Sequence, residues 1–437
     1  MSKNLHEIRC PIHIFVHLDS DERAVLGSRP FQRLRHIHQL ALTYLLYPAA
    51  THKRFEHSLG VMELAGRVFD VVTSPSNVTD QIRETIPEIT QPNQLQYWRR
   101  VLRMAALCHD MGHLPFSHAA EKELLPDEWD HERLTREIIL SEEMGRIWER
   151  MTPPLRALDV VKLAVGPRKA KDITFSIWET ILSEIIVGDA FGVDRMDYLL
   201  RDSYHVGVPY GRFDHFRLID TLRILPSAVE GASAPALGVE EGGLQSAEAL
   251  LLGRYYMYSQ VYFHPIRRIY DIHLKDFLAV WLSDGKFPTD IELHLRKTDN
   301  DVNAAIAAAA LDGSARGHEA ARRIARHDHF KVVYQRHPDD VRTNTEAGQA
   351  VYDAARAKFG DENVRRDSYT QKREATRFPV LLRDERIGVA EEHSDVLREL
   401  PVVAIDYVFI KPDLLEMAGS WLKAERESII QAKREVS

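Results

Sequence analysis

The stretch from Leu107 to His118, LCHDMGHLPFSH, constrains this chain more than any other. An apolar run of helical character (Val101, Leu102, Met104, Ala105, Ala106, Leu107) leads into adjacent His109 and Asp110. Gly112 then breaks the pattern, and His113 and His118 follow. Imidazoles and carboxylates at this density need partners or water once they are buried. Neighbours on a regular helix point about 100° apart and chelate poorly, but at a helix end beside a glycine both can turn toward one ion. The stretch therefore predicts a metal site, with its remaining ligands converging from other elements.

At 437 residues the chain has room for one large domain with an appended lobe, or for two to three ordinary domains. Its 44% hydrophobic and 28% charged residues exclude a disordered or fibrous protein. A formal net charge of -8 argues against a dedicated nucleic-acid binder, yet leaves room for a local basic pocket that takes a small anion. Cys10 and Cys108 belong to no CxxC pair, which excludes a disulfide framework and a thiolate zinc site and fits a reducing cytoplasm. With no charged-then-apolar leader and no run of about 18 apolar residues, a cytoplasmic protein without a membrane span is expected.

Residues 8 to 19 read as a short strand or hairpin, and Ser20, Asp21 and Glu22 supply helix-start chemistry before RAVLGSRPFQRLRHIHQL, an Arg- and His-rich segment. Phe55, Leu59, Met62, Leu64 and Val68 form a helical stripe with His57 near its start. His131 and Glu132 open another amphipathic helix. Farther on, Asp194, Tyr198, Asp202 and His205, with Arg195 beside them, recur at helical spacing and set carboxylate, cation and aromatic groups on one face. Residues 222 to 243 read as a hairpin or excursion, and a long helix over Leu244 to Leu282 is expected to kink at Pro265. There Tyr255, Tyr258, Tyr262 and Tyr270 are interleaved with His264, Arg267 and Arg268, which suits either core packing or stacking with phosphate contact. FKVVYQ, RFPVLL and VVAIDYVFI read as strands of a smaller lobe over 329–437.

His57, His109, Asp110 and Asp194 form a mixed nitrogen and oxygen donor set for a divalent metal: Mn, Mg, Fe, Co, Ni or Zn. Such an ion polarises a phosphoryl oxygen and lowers the pKa of a bound water. His118, His131 and Glu132 are candidates to handle protons, and Arg54, Arg195 and His113 to spread negative charge.

The order His, His-Asp, Asp resembles the HD superfamily of metal-dependent phosphohydrolases. The longer strings FQRLRHIHQL, HKRFEHSLGV, HDMGHLPFSH, DHE and GVDRMDYLLRDSYHVG look like its deoxynucleoside triphosphate triphosphohydrolases over roughly residues 8 to 275, and the C-terminal lobe resembles theirs more faintly. The resemblance implies a mostly α fold, with an HD-type helical core over 1–328, a metal site within 50–206, a short N-terminal β-hairpin and an α+β C-terminal lobe over 329–437. It implies the same four metal ligands, His118 close to the scissile phosphate, and His131 and Glu132 in a supporting relay. Arg54, His113 and Arg195 would meet the phosphates, Tyr198 the sugar, and Asp202 with Gln39 the 3′-hydroxyl, while Arg268 and Tyr270 border the nucleotide.

Three positions depart from the animal members of the group. Arg195 stands where they carry Lys, Asp271 where they carry Gln, and Gly27 where an acidic guanine-reading residue would be. Gln32 and Arg35 match the group's activator site, without support for guanine selectivity. The expected reaction converts a dNTP and water to deoxynucleoside and triphosphate, in a homo-oligomer. The alternatives are an HD phosphohydrolase acting on another nucleotide or phosphate ester, and a nucleotide-sensing or nucleic-acid-binding protein with secondary catalysis.

Overall fold

In the first antiparallel hairpin, Leu5–Cys10 pairs with Ile14–Asp19. A computed structural model describes residues 5–119, 121–227, 234–371 and 376–431, without the side chains of His118 and Lys122. Asp19 closes the hairpin and caps the helix Ser20–Leu26 through a reciprocal capping box with Glu22. This first helix is short. It ends at Gly27, Ser28 caps a new five-residue helix, Arg29–Arg33, and Pro30 sits in that helix's first turn, where its missing N–H costs nothing.

The helix Arg54–Val72 is buried around most of its circumference, the mark of a central helix. It packs against Pro92–Cys108 and Val193–Val206, with Ala157–Lys169 and Ile177–Val187 behind them. These helices set the ligand-bearing positions: His57 on the first turn of the central helix, His109 as the C-cap of Pro92–Cys108, and Asp194 on the first turn of Val193–Val206. Leu222–Leu225 and Ala236–Glu240 form the expected hairpin. Pro379–Leu381 adds parallel to Ala236–Glu240, and Ile387–Val389 completes a four-stranded sheet.

The chain thus divides into two interleaved units, Met1–Met257 with Lys286–Asp301 and Glu374–Pro401, and Tyr258–Gly285 with Val302–Arg373 and Val402–Ser437. No single cut at 328/329 separates them. The strand in RFPVLL belongs to the first unit's sheet, because its edge pairing is with Ala236–Glu240. In the second unit Ala404–Ile410 lies between Lys331–Gln335 and Val364–Thr370, antiparallel to both. Val351 and Ala355 from Ala347–Phe359, and Ala418 and Leu422 from Leu415–Gln431, fill a core with Val364, Val408 and Ile410 of this sheet. The expected helix Leu244–Leu282 is two helices, Leu244–Met257 and Pro265–Trp281, with a π turn over Tyr258–Tyr262 between them. Pro265 lacks the N–H needed inside a helix and starts a new one. The architecture is mostly α, with a short N-terminal hairpin and an α+β C-terminal region, as the sequence indicates.

Candidate metal centre

His57, His109 and Asp194 converge so that their ligand atoms all lie within 4.8 Å of one another. His57 Nε2 is 3.0 Å from Asp194 Oδ1, and His109 Nε2 is 3.5 Å from the same oxygen. Asp110 joins them, with Oδ2 3.6 Å from His57 Nε2 and Oδ1 3.3 Å from His109 Nε2. The Nδ1–H of His109 donates to the Ala106 carbonyl, which leaves Nε2 as a buried ring nitrogen without a hydrogen-bond partner among the described residues, facing the carboxylates. An orphaned nitrogen among carboxylate oxygens is the donor chemistry a divalent cation takes.

The charges agree. Asp110, Asp194 and Asp197 bring three carboxylates to this cluster, while Arg54 on Asp110 and Arg201 on Asp197 bring two guanidiniums. One negative charge is left over. Burial disfavours the charged imidazole of His57, but hydrogen bonds to Asp194 and Asp197 outweigh it and raise its pKa to about 10. A proton there occupies the place of a cation. Asp110 is held well below the usual carboxylate range, against the effect of burial, by Arg54, His109 and His113, and Asp194 is lowered by His109 and His57. The site fits a divalent metal, and its mixed donors leave the metal's identity open.

The neighbouring groups are stacked. His113 Nε2 lies 3.2 Å from Asp110 Oδ1, and its ring stacks on His131 at 4.0 Å and 17°. Burial, Arg54 and His131 push His113 well below the ordinary histidine value, so it is neutral. His131 is raised instead, because Glu121 and Glu132 outweigh its burial. Its Nδ1 is 2.7 Å from Glu121 Oε1 and 3.2 Å from Glu132 Oε2. The His118 side chain lies outside the described residues.

Two devices shape the HDMGHLPFS loop. Gly112 lies so close to the helix His131–Ile139 that a Cβ would stand 2.2 Å from the His131 carbonyl oxygen, and its N–H donates to Thr135 Oγ1. Phe116 and Ser117 are both left-handed, at φ 58° and 59°. Asp299 holds this turn, accepting from Phe116 N–H at 2.7 Å through one oxygen and from His38 N–H and Nδ1 through the other. Ser117 in turn accepts from Arg54 Nε at 2.8 Å and donates to the His38 carbonyl.

On the helix Val193–Val206, Arg195 and Tyr198 are half-buried, and Asp202 is buried with its Oδ1 2.7 Å from His52 Nε2. His52 stacks on His205 at 4.4 Å, and the His52 carbonyl accepts from the Gln39 N–H. Gln39 Oε1 is buried without a hydrogen-bond partner among the described residues. Asp202 and Gln39 each meet His52, Asp202 at its ring and Gln39 only through its backbone N–H. Arg268 and Tyr270 lie in the second unit. Arg268 is engaged by both oxygens of Asp367, and Tyr270 is 1% exposed against His329. Exposed Arg35 stacks over Phe55 and donates to Gln32 Oε1.

Four residues that build the site were not singled out on the sequence: Asp197, His52, Glu121 and Asp299. Asp197 carries a signal, being one turn after Asp194 on the same helix. Glu121, three residues after His118, carries a weaker one. Asp299, 183 residues from Phe116, carries none.

An HD domain model matches residues 54–199, the segment that carries all four metal-ligand candidates, and the HD associated region matches 213–364. The chain belongs to the HD-domain family. It is 34% identical over 270 residues to the uncharacterized protein YwfO of Bacillus subtilis (61% of this chain, 54% of that protein). It is 34% identical over 268 residues to the uncharacterized protein MJ1154 of Methanocaldococcus jannaschii (61% and 48%). The deoxynucleoside triphosphate triphosphohydrolase SAMHD1 of Gallus gallus is 26% identical over 366 residues (76% and 56%). The chain therefore spans about half the length of the curated relatives it matches. A solved structure of a hypothetical protein from Aquifex aeolicus superposes with a TM-score of 0.77 at 32% identity, covering 96% of this chain and all of that one. Among the described residues, no helix is long and apolar enough to cross a membrane.

Proposed function

We propose that this protein is a metal-dependent dNTP triphosphohydrolase that releases deoxynucleoside and inorganic triphosphate. The observation that carries the reading is the pairing of two chemistries on one helix. Asp194 meets the metal-type cluster, and Asp202, eight residues or about 12 Å of helix rise farther on, presents a buried, hydrogen-bonded carboxylate suited to a sugar hydroxyl. The similarity to SAMHD1 supports the same substrate class.

His57, His109, Asp110 and Asp194 hold the metal, which when bound supplies Lewis-acid polarisation of a phosphoryl oxygen and a water of lowered pKa. The other groups orient and neutralise. Neutral His113 offers a hydrogen bond beside Asp110 without adding positive charge that would compete with a cation. Arg54 fixes Asp110 and Ser117 and adds positive potential, and Arg195 extends it along the phosphates. His118 exchanges the proton at the scissile position, supported by His131, whose ring Glu121 and Glu132 orient and whose charged form they favour. Tyr198 stands at the sugar, and Asp202 with Gln39 accepts and positions the 3′-hydroxyl. An activating nucleotide binds near Gln32 and Arg35, and the chain acts as a cytoplasmic homo-oligomer.

The test is an assay of purified protein with each dNTP, alone and in pairs, with Mg, Mn and Co. Inorganic triphosphate appearing in step with deoxynucleoside supports the reading. Diphosphate or orthophosphate as the sole phosphorus product from every dNTP overturns it.

A further inference from the structure

His57 can present Nε2 to a metal only if its other nitrogen is fixed, and the group that fixes it is Asp197. This carboxylate is fully buried and completely used. Oδ2 lies 2.8 Å from His57 Nδ1 and 2.8 Å from Arg201 Nε, while Oδ1 lies 2.9 Å from Arg201 Nη2 and 2.6 Å from His13 Nε2. A carboxylate only accepts, so His57 and His13 must both donate to it, which sets the Nδ1–H form of one ring and the Nε2–H form of the other. The room for Asp197 comes from Gly60, one turn after His57: a Cβ there would stand 1.8 Å from Asp197 Oδ1.

His13 arrives from a different part of the chain. It sits in the turn of the N-terminal hairpin, between Leu5–Cys10 and Ile14–Asp19, with its side chain completely buried. The next residue, Ile14, is β-branched, 60% exposed and held at φ 67°, a backbone region that such residues rarely enter. The turn thus keeps an isoleucine in solvent and in a disfavoured conformation while its histidine points inward at Asp197. Cys10 Sγ, 3.4 Å from His13 N–H and 3.6 Å from Arg201 Nη2, ties the strand end to the same cluster.

We infer that His13 is a positioning residue for the metal centre: the N-terminal hairpin delivers a hydrogen bond to Asp197 that orients His57 as a ligand. The inference concerns metal affinity and is independent of the substrate assignment, so a failed dNTP assay leaves it standing.

The test measures the Mn²⁺ dissociation constant of the full chain, without nucleotide, by competition with a chelator, alongside the thermal midpoint of the metal-free protein. His13→Leu, which fills the space without donating, is expected to weaken Mn²⁺ binding about 10- to 100-fold. His13→Gln, whose amide can donate from a similar place, restores affinity to within about threefold of the parent. Val16→Ala loosens the same hairpin at a buried position that makes no hydrogen bond to Asp197, and is expected to lower the thermal midpoint with the Mn²⁺ constant unchanged. Parent-like affinity in His13→Leu overturns the inference. Equal losses in the Leu and Gln variants, or an equal loss in Val16→Ala, also overturn it by reducing the effect to general loosening.

Discussion

The helix Val193–Val206 borders His57 at one end and carries His205 at the other, in opposite electrostatic settings. At its N-terminal end, His57 packs against Asp194 and Asp197, whose carboxylates outweigh burial and raise it to about 10. About three turns on, His205 is pushed down to about 4 by burial and by His52 and Arg201. The first end has more carboxylate than guanidinium and is built for a cation. The second keeps the His205 imidazole neutral beside one hydrogen-bonded carboxylate, a setting for a polar but uncharged group such as a hydroxyl. In the proposed function, one short helix would thereby separate the recognition of charge from the recognition of a hydroxyl.

That contrast breaks first at the cation end. Asp110→Ala and Asp194→Ala are expected to lower triphosphate release by about 10³-fold or more and to abolish stoichiometric Mn²⁺ uptake, read by elemental analysis of the dialysed protein. At the hydroxyl end, Asp202→Asn is expected to lower kcat/KM for a dNTP about 10- to 100-fold, the worth of a charge-assisted hydrogen bond. Its Mn²⁺ affinity should match the parent. With a 2′,3′-dideoxynucleotide the gap between parent and variant should close, and a gap that persists would remove Asp202 from the hydroxyl.

Packing behind the cation end is tight enough that Gly112→Ala should cost about 1–3 kcal/mol of stability, measured by urea unfolding. No shift in the midpoint would mean that the HDMGHLPFS loop can move off the helix His131–Ile139. The smallest effect is at the hydroxyl end and is set by pH. An unfolded histidine binds its proton near 6.5, whereas folded His205 waits until about 4, so between these values the unfolded chain holds more protons and acidification destabilises the fold. His215, lowered to about 4 by burial, His13 and Arg67, acts in the same sense. Thermal midpoints should fall from pH 6.5 to 4, and His205→Asn should flatten that slope.

The cation end was the more legible of the two in sequence. His109, Asp110 and His113 sit in one glycine-broken segment, and Asp194 opens a helix with a polar stripe, so chemistry and periodicity pointed the same way. The hydroxyl end was half legible: Asp202 lay on that stripe, but His52 sat in an ATHKR segment with no periodicity to mark it. At Pro265 a kink was legible but a full break was not, because the apolar pattern continues across it, while capping and the missing proline N–H decide locally. The strand Pro379–Leu381 was visible as a strand but not as a partner of Ala236–Glu240, since pairing across more than a hundred residues leaves no local trace. Similarly, Asp299 reads as an ordinary acidic helix start, and only the fold reveals that it holds the Phe116 turn.

The segment that carries the metal-type residues is therefore not a unit that can be cut out. The HD match ends at residue 199, yet the first unit takes in Lys286–Asp301 and Glu374–Pro401. A fragment ending at Met257 would keep every proposed metal ligand and lose Asp299, and with it the acceptor for the Phe116 and His38 amides. Such a fragment would hold the full ligand alphabet with its loop unanchored. For this chain the end of the HD match and the limits of the compact first unit are different lines, and expression, crystallisation or domain-swapping designs have to respect the second.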